Sequence, residues 1–117
     1  MAKLALVRNV TRAGVAPLRV EVCESLVCRA RGLMFRRHLS RDDGLLLVHE
    51  SAIHMMFVRF ELAVFWLDRH LHVIDKVLAK PWRPAYFPRM RAAYVLEIHP
   101  AHWGDYEIGD QLQLAPA

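Results

Sequence analysis

The sequence predicts a mainly β domain (β-rich α+β), a compact antiparallel sandwich or barrel-like fold with one or two short helices. Several short segments alternate apolar and polar residues with a period of two, which is typical of half-buried strands. Residues that favour turns separate these segments. The stretch Ile53–Trp82 holds the longest apolar run and a hairpin signal, so we expect the central antiparallel strands there.

Length and composition bound the class of protein. The 117 residues fit a single domain spanning residues 1–117, and an apolar fraction of 55% excludes a disordered chain. No apolar run approaches the roughly 20 residues of a membrane span. Arg8 and Asn9 interrupt the apolar start before the core of a leader peptide forms. We therefore expect a cytoplasmic protein that does not associate with a membrane.

The net charge of +4 favours a mildly basic, solvated surface. The arginines are spread along the chain except near residues 83–91, so we expect no nucleic-acid partner. Nothing in the sequence predicts a stable oligomer, and a monomer is the expected state.

The first part of the chain predicts two strands followed by a short helix. Residues alternate in character over Leu4–Asn9 and again over Leu18–Cys23, which indicates strands. Apolar residues then recur at helical spacing, and the predicted helix covers Leu26–Arg31. Ser25 is expected to cap its start and Gly32 its end.

The second part predicts the rest of the sheet. The expected strands are 45–48, 62–67, 71–78, 93–98 and 111–114, with a helical turn over 100–106. The runs 62–67 and 71–78 form a predicted hairpin, since turn residues separate them. Residues 53–60 are apolar at both alternating positions, so we expect them to be buried on both sides or covered by a loop.

The cysteines and histidines predict no metal or cofactor. Cys23 and Cys28 are five residues apart, which matches neither a redox pair nor a zinc site, and we expect free thiols. The seven histidines are scattered, and no cysteine or carboxylate completes a known ligand spacing.

A set of short motifs occurs in a recognisable order along the chain. These motifs are Arg31-Gly-Leu-Met34, Asp43-Gly44, Ile53-His54, Met56-Phe57, Arg59-Phe60, Leu67-Asp68, Lys80-Pro-Trp82, Tyr94-Val-Leu-Glu97 and Ile108-Gly-Asp110. From about Val7 to Leu114 the chain resembles the family called domain of unknown function 192, or uncharacterised protein family 0127. The resemblance implies a compact, mainly antiparallel β domain and brings no established catalytic residue, cofactor or substrate.

The chain departs from the family pattern at two positions. Ala63 stands where the family often carries Asp, so a site that uses that carboxylate in relatives is missing here. Leu71 stands where the family's hairpin turn often has Gly. A bulky residue is unfavourable at positive φ, so we expect a turn of another type here.

Function is predicted from a loop that mixes basic and aromatic residues. Aromatic rings beside guanidinium groups suit planar or anionic ligands, and such residues concentrate in 80–91. The leading hypothesis is a non-catalytic binding module for a small polar or anionic ligand. Its predicted ligand-binding residues are Arg59, Asp68, Lys80, Trp82 and Arg83.

Three alternatives remain open at this point. The 80–91 loop would be purely structural if Trp82 and Phe87 cover the open end of the sheet while the arginines are solvated. A small hydrolase would use His54 or Asp68 as acid or base. A protein-interaction module would instead expose an apolar patch over residues 55–57.

Overall fold

The computed structural model describes residues 3–117, which form seven strands and two short helices. The strands are β1 Lys3–Asn9, β2 Leu18–Cys23, β3 Gly44–Val48, β4 Leu62–Leu67, β5 Val73–Ala79, β6 Tyr94–Ile98 and β7 Leu112–Pro116. Helix α1 covers Leu26–Arg31, and a 3₁₀ helix covers Pro100–Asp105. Within this part of the chain no helix is long and apolar enough to cross a membrane.

The strands form one mixed sheet that curls into a half-barrel, in the order β5-β4-β6-β3-β2-β1-β7. The prediction of a mainly β fold with short helices is confirmed. The pairing is mainly antiparallel, as expected, with one exception, because β2 and β3 pair in parallel with Glu21 opposite Leu45. Parallel neighbours need a crossover connection, and α1 lies within it.

The two edges of the curled sheet meet at one end. The Val73 N–H at the start of β5 donates to the Asp110 carbonyl at 2.9 Å. The Leu112 N–H at the start of β7 donates to the Leu71 carbonyl, also at 2.9 Å. These bonds join β5 and β7, the two edge strands of the sheet, so one end of the half-barrel is closed.

The β4–β5 hairpin is confirmed, with all six residues of β4 buried. Its turn corrects one expectation, because Leu71 has a φ of 67° and the turn therefore does require a left-handed residue. The half-buried Leu71 side chain packs against the apolar interior. Its N–H donates to the Asp68 carbonyl at 3.0 Å. Packing and hydrogen bonds together outweigh the backbone strain.

The segment 53–60 contains no strand of the sheet, so the expectation of central strands from Ile53 onward is wrong before Leu62. The segment crosses one face of the sheet and pairs with the 80–91 loop through the Ile53–Tyr86 bridge and through backbone hydrogen bonds between Met55 and residues 82–83. Ile53, Met55 and Val58 are buried against the sheet, with Met55 fully enclosed. Its mixed apolar pattern arises because it covers the sheet.

The sheet has an apolar core on each face. The inner core receives residues from all seven strands, namely Ala5, Val7, Leu18, Val20, Leu46, Ala63, Phe65, Leu67, Val73, Leu96, Ile98 and Leu112, with Tyr106. The outer core is covered by α1 and the loops. It consists of Cys23, Leu33, Leu39, Leu45, Leu47, Ile53, Met55, Val58, Leu62, Val64, Trp66, Ile74, Ala79, Ala92 and Val95.

Helix α1 has the predicted caps, and a disulfide ties it to β2. The Ser25 hydroxyl accepts a hydrogen bond from the Cys28 N–H at 3.1 Å, and the Gly32 N–H donates to the Cys28 carbonyl at 2.8 Å. Cys23 and Cys28 are disulfide-bonded, so the expectation of free thiols is wrong. The chain reverses between β2 and α1. The Cα atoms of Cys23 and Cys28 therefore lie 5.6 Å apart, within the range of a disulfide.

Candidate functional site

A carboxyl group is buried on the outer face of the sheet. Glu97 lies in β6, opposite Leu45 of β3 and Val64 of β4. Side chains alternate along a strand, so Glu97 shares the outer face with Val95. Its side chain is 3% exposed, and its Oε1 atom has no hydrogen-bond partner within residues 3–117.

This environment changes the acidity of Glu97. Burial raises the pKa of Glu97 from 4.5 to about 7, because an apolar surrounding disfavours the charged carboxylate. Near neutral pH both protonation forms are therefore populated. The protonated form donates a hydrogen bond, whereas the ionised form only accepts.

Glu97 lines a cavity of about 330 Å³ between α1, the segment 50–54 and residues 84–85, which we call the Glu97 cavity. Its volume is at the lower end of the range of small-molecule sites. Its walls are mainly apolar. The charged or titratable side chains that line it are Arg29, Arg31, Glu50, His54 and Glu97.

Arg29 brings a second unpaired polar atom to the same cavity. Its Nη1 donates to the His49 carbonyl at 2.7 Å and lies 3.7 Å from the Glu50 carboxylate. Its Nε is buried without a hydrogen-bond partner in the described chain. Two residues that line the cavity therefore each carry an unpaired buried polar atom, one a donor and the other an acceptor. Each such group costs about 1–3 kcal/mol while it stays unpaired.

Gly32 shapes the wall above the carboxyl group. Its φ of 50° lies in the left-handed region, which lets the chain turn sharply at the end of α1. A Cβ atom at this position would lie 3.5 Å from Glu97 Oε1, so the glycine backbone passes directly beside the carboxyl. The turn places α1 and its Arg29 over the sheet.

His54, the predicted acid or base of a hydrolase, has both ring nitrogens engaged by the backbone. The Met56 N–H donates to Nδ1 at 3.2 Å, so the proton lies on Nε2, which donates to the Ala30 carbonyl at 2.8 Å. Asp68, the other candidate, accepts hydrogen bonds from the His70 and His72 N–H groups at 2.9 Å. Both side chains have structural roles.

The remaining predicted binding residues lie outside the Glu97 cavity. Lys80 forms an ion pair with Glu61. Arg59 is exposed and lines a separate surface depression. Trp82 is half exposed, and the Arg83 carbonyl accepts the Met55 N–H at 2.8 Å. The 80–91 loop contributes Pro84 and Ala85 to the cavity instead.

The predicted residues do not converge with Ala63. Ala63 is fully buried in the inner core, on the face of the sheet opposite to Glu97. A carboxylate at position 63 would point away from the Glu97 cavity, since successive side chains of β4 point to opposite faces of the sheet. The Ala63 difference from the family pattern therefore leaves this cavity unchanged.

Sequence reasoning missed Glu97 and Arg29. The available signal was the period of two in β6, which places Glu97 on the same apolar face as Val95. A charged residue at a core-facing strand position is informative, because such residues are almost never buried without a reason. No comparable signal exists for Arg29, because its contact with the cavity depends on the parallel crossover. Within residues 3–117 no group of three metal-ligating side chains is present.

Comparison with known sequences identifies one family. Residues 8–114 match the model of DUF192, described as "Uncharacterized ACR, COG1430". A UPF0127 protein of Thermococcus sibiricus is 33% identical over 111 residues, covering 89% of this chain and 71% of that protein. A UPF0127 protein of Pyrococcus horikoshii is 33% identical over 81 residues, covering 67% of this chain and 70% of that protein.

Two solved structures share the fold. One, from Sinorhizobium meliloti, is provisionally described as a transcription regulator; its TM-score is 0.84 at 21% identity, with 97% of this chain and 94% of that chain covered. The other, from Novosphingobium aromaticivorans, has unknown function; its TM-score is 0.79 at 21% identity, with 96% and 84% covered. At this identity the likeness establishes the fold alone.

Proposed function

Because the chain belongs to the DUF192 family, which is uncharacterised, we propose a function from the Glu97 cavity: the protein is a non-catalytic module that binds a small polar ligand. One observation carries the proposal. Two residues that line the same cavity, Glu97 and Arg29, each carry a buried polar atom without a partner in the described chain, Oε1 and Nε respectively. Buried polar groups are nearly always hydrogen-bonded, so their pairing by a ligand would remove a destabilising feature.

The two atoms define the chemistry of the ligand. Arg29 Nε requires an acceptor, and Glu97 Oε1 requires a donor. A carboxamide or a small hydroxy acid supplies both groups on one fragment. A carboxylate ligand also fits when Glu97 is protonated, because the neutral carboxyl group donates a hydrogen bond to it and does not repel it. The ligand is thus small, polar and neutral or anionic.

Thermal-shift and NMR titrations with a panel of small carboxamides, hydroxy acids and amines test the proposal. We expect amides and hydroxy acids to bind and amines without an acceptor to fail. The changes Glu97→Leu and Arg29→Lys remove one partner each, and each should weaken binding by about 10-fold or more. Arg29→Lys keeps the charge, so its loss of binding would show that the guanidinium N–H groups are required.

Matched variants in the 80–91 loop separate two locations for the site. Trp82→Ala and Arg83→Ala should leave binding unchanged, since neither side chain lines the Glu97 cavity. Loss of binding in these two variants, with full binding by Glu97→Leu, would move the site to the loop. Failure of the whole panel to bind would contradict the proposal itself.

A second candidate function is favoured by the acidity of Glu97. A carboxyl group with a pKa of about 7 is suited to proton transfer near neutral pH. A hydrolase-like enzyme would therefore use Glu97 in place of His54 or Asp68. A binding role stands first because no serine, threonine or cysteine is among the described residues that line the cavity. Turnover of an ester by the protein, abolished in Glu97→Gln, would reverse this order.

Nucleic acid is not part of the proposal. The provisional description of the Sinorhizobium meliloti protein would bring DNA as a partner, but a net charge of +4 gives little support for it.

The proposed location is the cytoplasm. The Cys23–Cys28 disulfide is the observation that opposes this location, since such bonds persist mainly in oxidising compartments.

A further inference from the structure

Three aromatic side chains from distant parts of the sequence meet on the surface, and we call them the aromatic cluster: Phe35, Phe57 and Trp82. The rings of Phe35 and Phe57 have centroids 5.1 Å apart, and those of Phe57 and Trp82 are 5.0 Å apart. Their exposed fractions are 60%, 43% and 51%. The cluster therefore leaves about half of its area facing solvent and is not part of a core.

The backbone at all three positions is left-handed, with φ values of 67°, 62° and 67°. Glycine or asparagine is the usual residue there, because a bulky side chain is strained. The strain is held by hydrogen bonds from the Phe35 N–H to the Phe57 carbonyl at 3.0 Å and from the Trp82 N–H to the Met55 carbonyl at 2.8 Å. Strained backbone that displays exposed side chains is a feature of functional surfaces.

An apolar groove continues from the cluster toward α1. Its lining residues are Val27, Ala30, Arg31, Met34, His54, Met56, Phe57 and Pro84. Val27 is 77% exposed, although it lies on a helix that packs against the sheet. Met55 is fully buried and takes no part in this surface. Methionines beside aromatic rings provide an adaptable apolar contact for another chain.

The described residues that line the groove include Arg31 and no carboxylate, so the fixed charge of the lining is positive. Arg83 lies next to Trp82 in the sequence, and it is exposed like Arg31. Neither arginine forms an ion pair within residues 3–117. The surface therefore complements an apolar segment that carries negative charge.

We propose that the aromatic cluster and its groove dock an acidic amphipathic segment of a partner protein. Apolar side chains of that segment fill the groove and cover Phe57 and Trp82, while its carboxylates pair with Arg31 and Arg83. Aromatic residues and arginine dominate the energetics of protein interfaces. A groove beside exposed rings is the geometry that accepts an amphipathic helix.

Two other occupants fit the observations less well. A second copy of this chain would bring like charges together, because the same arginines would face each other across a symmetric interface. An anionic membrane is usually met by clusters of about four to eight lysines and arginines. The described surface offers Arg31 and Arg83, and the nearest lysine in sequence, Lys80, is already paired with Glu61.

Fluorescence anisotropy with two synthetic helices of about 15 residues tests the proposal. Both peptides carry leucines at helical spacing, one with glutamates and the other with lysines at the remaining positions. We expect the acidic peptide to bind and the basic peptide to fail. Trp82→Asn, Phe57→Asn and Arg31→Glu should each weaken binding by about 10-fold or more. Asparagine tolerates a left-handed backbone, so the first two variants keep the fold.

Matched controls lie outside the groove. Phe87→Asn removes a ring that is 73% exposed, and Arg91→Glu reverses an exposed charge; neither should change binding. Equal binding of the two peptides, or equal loss in the control variants, would overturn the proposal. It would also be overturned if phosphatidylserine vesicles bind through Trp82 while the acidic peptide does not. Sedimentation of a dimer that Trp82→Asn dissociates would assign the surface to a second copy.

Discussion

At the scale of single residues, the buried position of Glu97 brings a carboxyl group to the cavity and lowers the stability of the free protein. The carboxyl group is surrounded by apolar neighbours such as Leu45 and Val64. It receives no hydrogen bond at Oε1 from the described chain. Such a group stabilises nothing in the free protein, and it persists because the rest of the outer core holds it in place. This is the expected arrangement of a group reserved for a ligand.

Glu97 makes the stability of the free protein dependent on pH. Its pKa is about 7 in the folded protein and 4.5 in the reference state, so the folded state holds the proton more tightly. The contribution of Glu97 to the free energy of unfolding is greatest below pH 4.5, where its carboxyl group is protonated in both the folded and the unfolded state. It is lost as the pH rises to about 7. We expect a loss of about 3 kcal/mol across this window relative to Glu97→Gln, measured by chemical denaturation.

The variant Glu97→Leu controls for packing. It also lacks the titrating proton, so its stability should run parallel to that of Glu97→Gln across the same window, whatever its absolute value. Wild-type stability that runs parallel to both variants would show that Glu97 does not titrate in this range. A ligand that donates a hydrogen bond to Glu97 Oε1 should reduce the pH dependence, because it stabilises the ionised carboxylate in the folded protein.

At the scale of elements, the β4–β5 turn shows how local preference is overruled by packing. Leu71 has a φ of 67°, and its half-buried side chain contacts the inner core. Leu71→Gly and Leu71→Ala both remove the side-chain packing, but only glycine also relieves the backbone strain. We therefore expect Leu71→Gly to be more stable than Leu71→Ala by about 1 kcal/mol in thermal or chemical unfolding.

Leu78 is the matched control, because it is half-buried against the same core but lies within β5. There the usual order should return, with Leu78→Ala more stable than Leu78→Gly by about 0.5–1 kcal/mol. The same order at both positions would show that Leu71 is not left-handed in solution.

The strands and helices themselves were largely predictable from the sequence, whereas the pairing between strands was not. Alternation along β1 and β2, and the caps of α1 at Ser25 and Gly32, are local signals that a sequence carries directly. The parallel pairing of β2 with β3 depends on a crossover, and no periodicity encodes it. That crossover brings Arg29 over Glu97, so the candidate site could not be predicted for the same reason.

At the scale of the whole molecule, Asp110 joins the two edges of the half-barrel. Its Oδ2 atom accepts hydrogen bonds from Asn9 Nδ2 at 2.9 Å and from Arg12 Nε at 2.7 Å. The Glu107 N–H donates to the same oxygen at 2.9 Å. Its carbonyl accepts the Val73 N–H at the start of β5. One residue thus connects β1, the turn before β7 and the opposite edge strand.

The acidity of Asp110 follows from these contacts. Burial would raise the pKa of this carboxyl, but the hydrogen bonds from Asn9, the Glu107 backbone and Arg12, with the charge of Arg12, lower it below the ordinary 3.8. The stability that it contributes is therefore present above pH 3.8 and is lost as the pH falls through the lowered pKa. This window lies below that of Glu97, so the two effects can be measured separately.

Asp110→Asn should destabilise the protein by about 2–3 kcal/mol near neutral pH, because the amide replaces a charged acceptor of three hydrogen bonds. Asp42→Asn makes the same charge change at an exposed position and should have little effect. The role of Asp110 in joining the two sheet edges should also be visible in local amide hydrogen exchange. In Asp110→Asn, the Val73 N–H should lose more protection than the amides of the central β4–β6 pair, since the edges separate before the sheet unfolds. Uniform loss of protection would mean that Asp110 stabilises the whole domain without a separate role in closing the half-barrel.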